Sequence, residues 1–255
     1  MDAGTLQWWA ALLAIGLLAG FLSTLLGIGG GLVVVPLLHY GLRFGFLEAT
    51  AVSLLAMAIQ TPVGLWTHHR RGAVDWRLGG LLALGGLGGV LAGHWLQPQV
   101  AVPHLKLLFA ALMLVAAWRL WAGLKPGQVK PLHWVLVVVL GFLAGVASRL
   151  LGIGGGLVTV PMLVLLGTAV HTAVATSLLP VLTNALVASV GILAARQADW
   201  RIAVPVGLGA LATAWLGTRA AHALEAPQLR RVFAVALALA AVWMGATSGA
   251  LGPSA

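Results

Sequence analysis

Two nearly identical glycine runs are the residues of this sequence that most clearly indicate a chemical role. The pattern Gly-Ile-Gly-Gly-Gly-Leu-Val-x-Val-Pro occurs at 27–36 and again at 152–161. Glycine allows positive φ and close backbone approach, and proline removes a hydrogen-bond donor, so each run predicts a broken helix. The first N–H groups of a helix that resumes after a break are unpaired and favour negative charge. The chemistry predicted at each run is therefore anion binding.

A single arginine adds positive charge next to the second run. Arg149 stands three residues before Gly152 inside an apolar stretch, where the first half of the chain has Thr24. A cation within a membrane is costly and is a functional candidate by default. Its guanidinium can bind a sulfonate, a sulfite or a carboxylate through two parallel hydrogen bonds. The alternative is a side chain that extends from a helix end towards the membrane interface.

Neutral polar residues follow each glycine run at matching positions. Ser53 and Gln60 are seven residues apart, and so are Ser177 and Asn184. This spacing places each pair on one face of a helix. Neutral donors suit an anion that must be bound and then released, and hydrogen bonding between helices explains any one of these residues equally well. Their recurrence in both halves favours the binding role.

The remaining titratable residues point away from enzymatic chemistry. His39 and His171 lie within or beside apolar segments and can relay protons, although packed polar groups are commoner. His68 and His69 are interpreted as interfacial loop residues, with metal binding as a weak alternative. All acidic residues fall at or outside predicted helix ends, so no buried carboxylate is expected to carry protons or sodium. These acids are Asp2, Glu48, Asp75, Asp199 and Glu225.

Composition places the chain in a membrane. Hydrophobic residues make up 61% of the sequence and charged residues only 7%, with a mean hydropathy of +1.04. The net charge of +9 comes from basic residues scattered singly or in pairs through short loops, as the positive-inside rule produces. That pattern excludes a nucleic-acid partner. The absence of cysteine excludes disulfides and cysteine-ligated metals.

The chain contains an internal duplication. The segment that starts at Gly20 recurs from Gly145, an offset of 125 residues, and further matches continue at an offset of 124. One change of register over such a length predicts two homologous repeats. The predicted boundaries of these repeats are 1–125 and 126–255.

Apolar runs predict the membrane segments of each repeat. They cover 6–26, 30–42, 47–67, 78–97 and 104–123 in the first repeat, and 133–151, 155–168, 172–194, 202–221 and 229–249 in the second. The first run is interpreted as a helix and not a cleaved signal peptide, because no basic residue or small-residue cleavage site flanks it.

The fold class predicted is an all-α polytopic membrane protein with two repeats of four to five transmembrane segments and helices broken at the glycine runs. The second run of each repeat is short, and whether it spans or re-enters decides the topology: five segments per repeat give inverted repeats, and four give parallel ones. The distribution of basic residues favours inversion with both termini outside.

Close packing is the alternative role for the glycines. Two breaks at matching positions of a duplicated membrane protein favour a substrate site between the halves for the paired runs. Packing is favoured for Gly79-Gly80, Gly85-Gly86 and Gly88-Gly89. A soluble phosphate loop is excluded because its third glycine is replaced by Leu32 and Leu157.

The paired motifs and the Ser-Leu-Leu segment after each of them resemble the sulfite exporter TauE/SafE family, also called the 4-toluene sulfonate uptake permease family. The resemblance extends from Leu12 to about Gly245. It implies an inner-membrane secondary carrier for sulfite, sulfonates, sulfoacetate or similar small anions, coupled to protons or to the membrane potential. Arg149 is not part of the family pattern. The family pattern carries over onto Gly27, Gly29, Gly30, Gly31, Pro36, Gly152, Gly154, Gly155, Gly156 and Pro161.

The predicted function is a secondary active anion transporter that works by alternating access. The glycine amides and Arg149 would hold the anionic head, and the polar residues of the third segments would complete its hydrogen bonds. Two alternatives stay open. An anion channel needs a continuous polar lining that the sequence barely supplies, and in a non-transporting membrane partner protein the glycines would only pack.

The sequence predicts neither an enzyme, a cofactor nor a metal site, because no nucleophile, base or ligand constellation is present. The predicted partners are a small anionic substrate and the lipid bilayer. A coupling proton and a homodimer within the membrane are compatible with the sequence without being indicated by it. The predicted location is the inner membrane, with multiple spans.

Overall fold

The computed structural model describes residues 3–97, 99, 110–111, 113–115, 117–118, 121–122 and 133–248. Within these residues the regular structure is helical, and no strand is present. The elements are α1 (Ala3–Leu26), α2 (Gly31–Pro36) with a π-helical continuation (Leu37–Gly41), α3 (Phe46–His69), α4 (Trp76–Leu96), α5 (Trp134–Leu151), α6 (Gly156–Leu165), α7 (Val170–Ala194), α8 (Trp200–Ala223) and α9 (Ala226–Ser248).

The helices agree closely with the predicted apolar runs. In the described part of the chain, seven helices are long and apolar enough to cross a membrane. The prediction of an all-α polytopic membrane protein is thereby confirmed. Most of the predicted segment 104–123 and the predicted boundary between residues 125 and 126 lie outside the described residues. The division into two repeats stays a prediction.

One group of helices, which we call bundle 1, consists of α1, α3 and α8. Gly16 of α1 packs against the backbone of Val206 in α8, and Gly217 of α8 packs against the backbone of Phe21 in α1. Later residues of α1 contact later residues of α8, so the two helices are parallel. On α3, Ile59 packs against Gly207 of α8. The glycines let the helix backbones approach closely, as is usual in membranes.

A second group, bundle 2, consists of α4, α5 and α7. Gly85 of α4 meets the backbone of Val138 in α5, and Gly89 meets that of Phe142, so these helices are also parallel. Thus Gly85 and Gly89 pack in the way predicted for their glycine pairs. Each bundle combines helices from both ends of the chain, because α4 has joined α5 and α7 while α8 has joined α1 and α3.

The two bundles run in opposite directions. The face where α1, α3 and α8 begin is called the N-terminal face, and the face where α3 and α8 end is called the distal face. The connection from α3 places the start of α4 at the distal face. The start of α7 lies there as well, because Thr176 accepts a hydrogen bond from the backbone N–H of Asp75, and α5 runs parallel to α4. Ring contact between Tyr40, in the turn after α2, and Trp243 of α9 puts the end of α9 at the N-terminal face, at a centroid distance of 6.0 Å.

The short helices return to the face from which the preceding long helix started. With 11 residues in Gly31–Gly41 and 10 in Gly156–Leu165, neither is long enough to span. The first ends just before α3 begins at the N-terminal face, and the second ends just before α7 begins at the distal face. Each short helix therefore re-enters.

Candidate substrate-binding site

The candidate site is built around the two interruptions between long and short helices. The first lies between Leu26 and Gly31, and the second lies between Leu151 and Gly156. Glycine is required here because several of these positions have φ values that L side chains rarely adopt. These values are +66° at Gly27, +76° at Gly29, +68° at Gly152, +72° at Gly154 and +80° at Gly155.

The two interruptions contact each other directly. A Cβ atom at Gly31 would overlap the carbonyl group of Gly152, and one at Gly156 would overlap the carbonyl of Gly27. Each glycine that starts a short helix thus rests on the backbone of the other interruption. The contact is symmetrical, and it brings both helix starts to one place in the molecule.

This place lies midway between the two faces. A Cβ atom at Gly29 would be 3.0 Å from Sδ of Met57, and Met57 also contacts Gly154. Met57 is close to the middle of α3, and Val181, which contacts Gly154 as well, is close to the middle of α7. The interruptions therefore lie at mid-depth in the helix bundle.

The two predicted serines connect the interruptions to the long helices. Oγ of Ser53 donates a hydrogen bond to the carbonyl of Gly152 at 2.8 Å, and Oγ of Ser177 donates to that of Gly27 at 2.7 Å. Each hydroxyl has one proton to give. The carbonyl of Val174, in the same helix as Ser177, is a second acceptor for the Ser177 hydroxyl at 2.8 Å. Both hydroxyl protons therefore have carbonyl acceptors in this conformation, and a role in holding an anion stays a prediction.

The two predicted amides, in contrast, have no partner. Gln60 and Asn184 are 0% exposed, and neither amide has a hydrogen-bond partner for its nitrogen or its oxygen within the described chain. A Cβ at Gly30 would be 2.9 Å from Nε2 of Gln60, and one at Gly155 would be 3.2 Å from Nδ2 of Asn184. Each amide therefore lies against the glycine that precedes a short helix.

Two further serines belong to this arrangement and were missed from the sequence. Ser23 and Ser148 are fully buried, and their hydroxyl groups have no partner among the described residues. Each is one helical turn beyond an alanine, Ala19 or Ala144, that contacts the glycine next to the amide. A signal was present, because serine occupies the same position in both copies of the duplicated segment.

A glycine predicted to serve only packing makes room for one of the amides. A Cβ at Gly86 would overlap Oδ1 of Asn184, whereas Gly80, six residues earlier on α4, faces open space. Displacing a hydrogen-bonding group from a charged ligand costs about 1.5–3 kcal/mol. We expect Gly86→Ala to weaken anion binding about tenfold or more, as measured by titration calorimetry.

The matched control for this substitution is Gly80→Ala. It adds the same methyl group to the same helix and removes the same backbone freedom, but contacts nothing. Equal affinities of the two variants would show that Gly86 only packs.

Arg149 does not lie beside the amides in this conformation. It is 3% exposed, and its Nη2 is 3.3 Å from Nδ1 of His94 and 3.2 Å from Oε1 of Gln197. Neither partner is an acid. Gln197 is in the loop that joins α7 to α8 at the N-terminal face, so the guanidinium points towards that face. Its role in binding the anion stays a prediction.

The N-terminal face has a polar cavity next to this arginine. The cavity has a volume of about 610 Å³ and is lined by Gln97, Arg196 and Gln197 together with Glu48 and Asp199. Gln197 lines the cavity and also accepts a hydrogen bond from Arg149, so one residue separates the arginine from this cavity.

The assignment of His68 to an interfacial loop was wrong. His68 is in the last turn of α3 and is only 1% exposed, because its ring lies between α1 and α8. Its neighbour His69 is exposed, and its Nδ1 accepts a hydrogen bond from Nε1 of Trp76. The relay candidates each contact one carbonyl, His39 that of Phe44 and His171 that of Leu224.

The acidic residues occupy the predicted helix ends. Asp75 and Asp199 are the N-caps of α4 and α8, where their carboxylates accept backbone hydrogen bonds. Glu48 is in the first turn of α3, and Glu225 immediately precedes α9. The prediction is confirmed for these four acids, and Asp2 lies outside the described residues.

Seven helices that are long and apolar enough to span, together with two short apolar helices, are typical of a multi-pass membrane protein. The chain belongs to the sulfite exporter TauE/SafE family, whose model matches residues 12–244. The resemblance inferred from the glycine motifs is thereby confirmed.

Relatives with the same length support this membership. The chain is 30% identical over 254 residues to a probable membrane transporter protein of Xylella fastidiosa (strain 9a5c), covering 94% of this chain and 97% of the relative. It is 31% identical over 257 residues to a probable membrane transporter protein of Haemophilus influenzae, covering 91% and 96%. No solved structure is significantly similar to the chain.

The prediction of a multi-pass membrane protein is confirmed by the family and the spans. The bacterial relatives agree with a location in the inner membrane. These relatives are named as probable membrane transporters, which is consistent with the expectation that the chain is not an enzyme.

Proposed function

We propose that this protein is a secondary active transporter that moves a small organic or sulfur-containing anion across the inner membrane by alternating access. Sulfite, a sulfonate or a sulfoacetate-like anion is the expected substrate. The observation that carries the proposal is the pair of buried amides, Gln60 and Asn184, which have no hydrogen-bond partner among the described residues and lie next to two helix starts at mid-depth.

An anion would satisfy the polar groups that the protein leaves unpaired at this place. Each buried polar group without a partner costs about 1–3 kcal/mol, so the four side chains involved represent a considerable cost when no ligand is bound. Amide and hydroxyl groups can donate to an anion without neutralising it. The donors are Gln60, Asn184, Ser23 and Ser148.

The short helices would supply the electrostatic part of binding. Both begin at the site, so the unpaired N–H groups of their first turns and the positive ends of their dipoles favour negative charge there. No fixed cation is required at the amides themselves. Binding by neutral donors and dipoles allows release, which a transporter needs as much as binding.

The opposed bundles provide the moving parts. We infer that residues 1–125 and 126–255 are inverted repeats with helices broken at the glycine runs, because corresponding helices α1 and α5 run in opposite directions. Rocking of bundle 1 against bundle 2 around the fixed site would expose it to each face in turn. The amides are fully buried, so this conformation corresponds to the occluded step of the cycle.

Charge would orient the protein and guide the anion. More of the described arginines lie in the loops and terminal helix turns near the distal face, which the positive-inside rule places in the cytoplasm. Arg149 would then attract anions from the polar cavity of the N-terminal face towards the site. The described arginines of the distal face are Arg70, Arg71, Arg77, Arg219, Arg230 and Arg231.

Thermal stabilisation and counterflow test this proposal together. Purified protein is screened against sulfite, thiosulfate, methanesulfonate, sulfoacetate and short carboxylates, because a ligand of the folded state raises the apparent stability. Any stabilising anion is then loaded into proteoliposomes, and the uptake of labelled anion against the unlabelled pool is measured. We expect a selective hit, saturable counterflow, and a reduced initial rate in Arg149→Gln.

Other outcomes would identify the alternatives. Conductance without saturation or counterflow would indicate an anion channel. No response to any anion, in protein whose cooperative melting shows that it is folded, would indicate a non-transporting membrane partner protein.

A further inference from the structure

Three histidines from three helices meet at the distal face. Nδ1 of His68, on α3, is 3.0 Å from Nε2 of His222 on α8. The ring of His171, at the start of α7, stacks on that of His222 with centroids 5.9 Å apart. His68 is buried and the other two are half-buried, so the cluster extends from the interior to the surface. It joins bundle 1 to bundle 2, since α7 belongs to the latter.

The hydrogen-bond partners of neutral His68 determine which of its two ring nitrogens carries the proton. Nε2 of His68 is 3.1 Å from the carbonyl of Thr24, which can only accept, so this nitrogen carries the proton. Nδ1 of His68 is then a lone pair, and it accepts the Nε2–H of His222. The buried ring therefore presents a basic nitrogen to a partner that leads outwards.

The same face of α3 connects this basic nitrogen to the anion site. Gln60, Gly64 and His68 recur every four residues, so the ring lies about 12 Å along the helix from the amide at a rise of 1.5 Å per residue. Thr24, which accepts from His68, also packs against Gly64 and follows Ser23 directly in α1. His68 therefore lies on the distal side of the anion site.

The surrounding charges oppose protonation unless an anion is present. The charged or titratable groups that act on His68 are His222 on α8, His171 on α7 and Arg71 after α3, and none of these is an acid. A buried imidazolium without a counter-charge is costly. An anion at Gln60 would supply that counter-charge, and its attraction would be strengthened by the low dielectric of the interior. Binding of proton and anion is thereby expected to be mutually favourable.

The corresponding position in the other half of the chain cannot play this part. In the alignment of the two halves, Ile192 stands where His68 does, and Arg149 stands where Thr24 does. The buried position at the end of α3 is therefore titratable between pH 5 and 8, and its counterpart at the end of α7 is not. On the other side of the site the equivalent of Thr24 is the cation Arg149, whose described partners are His94 and Gln197.

We propose that His68 and His222 together bind the coupling proton of the transport cycle. The inference rests on the proposed function and specifies its driving ion. The incoming proton bonds to Nδ1 of His222, and the proton on Nε2 of His222 passes along the 3.0 Å hydrogen bond to Nδ1 of His68, so that His222 becomes the acceptor. The pair has gained one proton and lost none. Release of the anion removes the counter-charge and returns the proton to the solvent through His222.

Proteoliposomes that contain the full chain test the proposal with His68→Gln, and His69→Gln is the matched control. His69 is adjacent, exposed and bonded only to Trp76 in the described contacts. The probe is methanesulfonate, whose charge is constant over the working pH range. We expect His68→Gln to lose accumulation driven by a pH gradient about tenfold or more, and to lose proportionally less of its counterflow, because counterflow needs no net proton movement. The control should retain both activities.

Two results distinguish a failure of the proton site from a failure of the transport function. Full gradient-driven accumulation in His68→Gln would overturn the proton site and leave the transporter intact. Absence of counterflow in the wild-type protein would instead overturn the proposed function for sulfonates.

A measurement on the wild-type protein guards against a variant that fails to fold. Methanesulfonate is added to weakly buffered, purified protein, and proton uptake is followed with an indicator dye. We expect uptake of about one proton per bound anion near neutral pH, and its loss in His222→Gln. Anion binding without proton uptake by the wild type would overturn the proposal.

Discussion

Replacing the buried amides by apolar residues of similar size, with Gln60→Met and Asn184→Leu, is expected to abolish anion binding while leaving the protein as stable as before or more so. Each substitution removes polar atoms that have no partner within the described chain, which relieves about 1–3 kcal/mol of desolvation cost per group. The same atoms are the donors proposed to meet the anion. Loss of function and gain of stability together are the signature of a binding group.

This prediction is tested by anion titration calorimetry and by the thermal midpoint of the unliganded protein. Thr183→Val is the matched control, because Thr183 is adjacent to Asn184 but hydrogen-bonds the carbonyls of its own helix at Leu179 and Pro180. The control should bind anion normally. A lower thermal midpoint in both amide variants, with anion affinity unchanged, would mean that the amides stabilise the fold and do not bind the substrate.

Adding one methyl group at Gly31 or Gly156 is expected to have the largest structural effect. The new Cβ of Gly31→Ala would overlap the carbonyl of Gly152, and that of Gly156→Ala would overlap the carbonyl of Gly27. Backbone on both sides must move, so we expect a loss of about 3 kcal/mol or more, at the upper end of overpacking effects. The two serine hydrogen bonds across the contact would be lost as well.

The measurement is the yield of monodisperse protein in detergent and its resistance to thermal unfolding. Gly191→Ala is the control, because it adds the same group within α7 where nothing lies within reach. It should be neutral or slightly stabilising. Normal stability of both Gly31→Ala and Gly156→Ala would show that the interruptions do not rest on each other as described.

Much of the fold could be predicted because membrane helices are recognised by length and apolarity alone. The observed span Val170–Ala194 lies within a few residues of the predicted 172–194, and the other long helices agree similarly. The re-entry of the short helices could not be decided by counting segments. A long helix and the short one after it approach and leave by the same face, so the pair makes no net crossing. The expectation that re-entry goes with parallel repeats was therefore wrong, because α1 and α5 run in opposite directions although the short helices do not span.

The candidate site was predictable in part. The glycine runs and the two amides were found because glycine in a helix and amides in a membrane are both costly without a reason. Which polar groups have partners depends on contacts between residues about a hundred positions apart. Ser53 and Gln60 look equivalent in the sequence, yet the serine hydrogen-bonds the carbonyl of Gly152 and the amide has no hydrogen-bond partner in the described chain.

The burial of His68 also could not be predicted from the local sequence. Its place at the end of an apolar run, next to basic residues, is typical of an interfacial loop. Burial came from α8, which supplies His222 and covers the ring. Only the packing of α8 against α3 brings the two histidines together, and no local pattern contains that information.

The exchange of helices between the bundles also sets the order in which the protein can fold during synthesis. The ribosome delivers α1 and α3 early, but their partner α8 begins only at Trp200. Until α8 is inserted, the glycine-lined face of α1 lacks its final partner in the bilayer. Bundle 2, in contrast, can assemble as soon as α7 has been inserted. The bundle that contains the histidine pair is therefore the last to close, and a chain cut before α8 would leave it open.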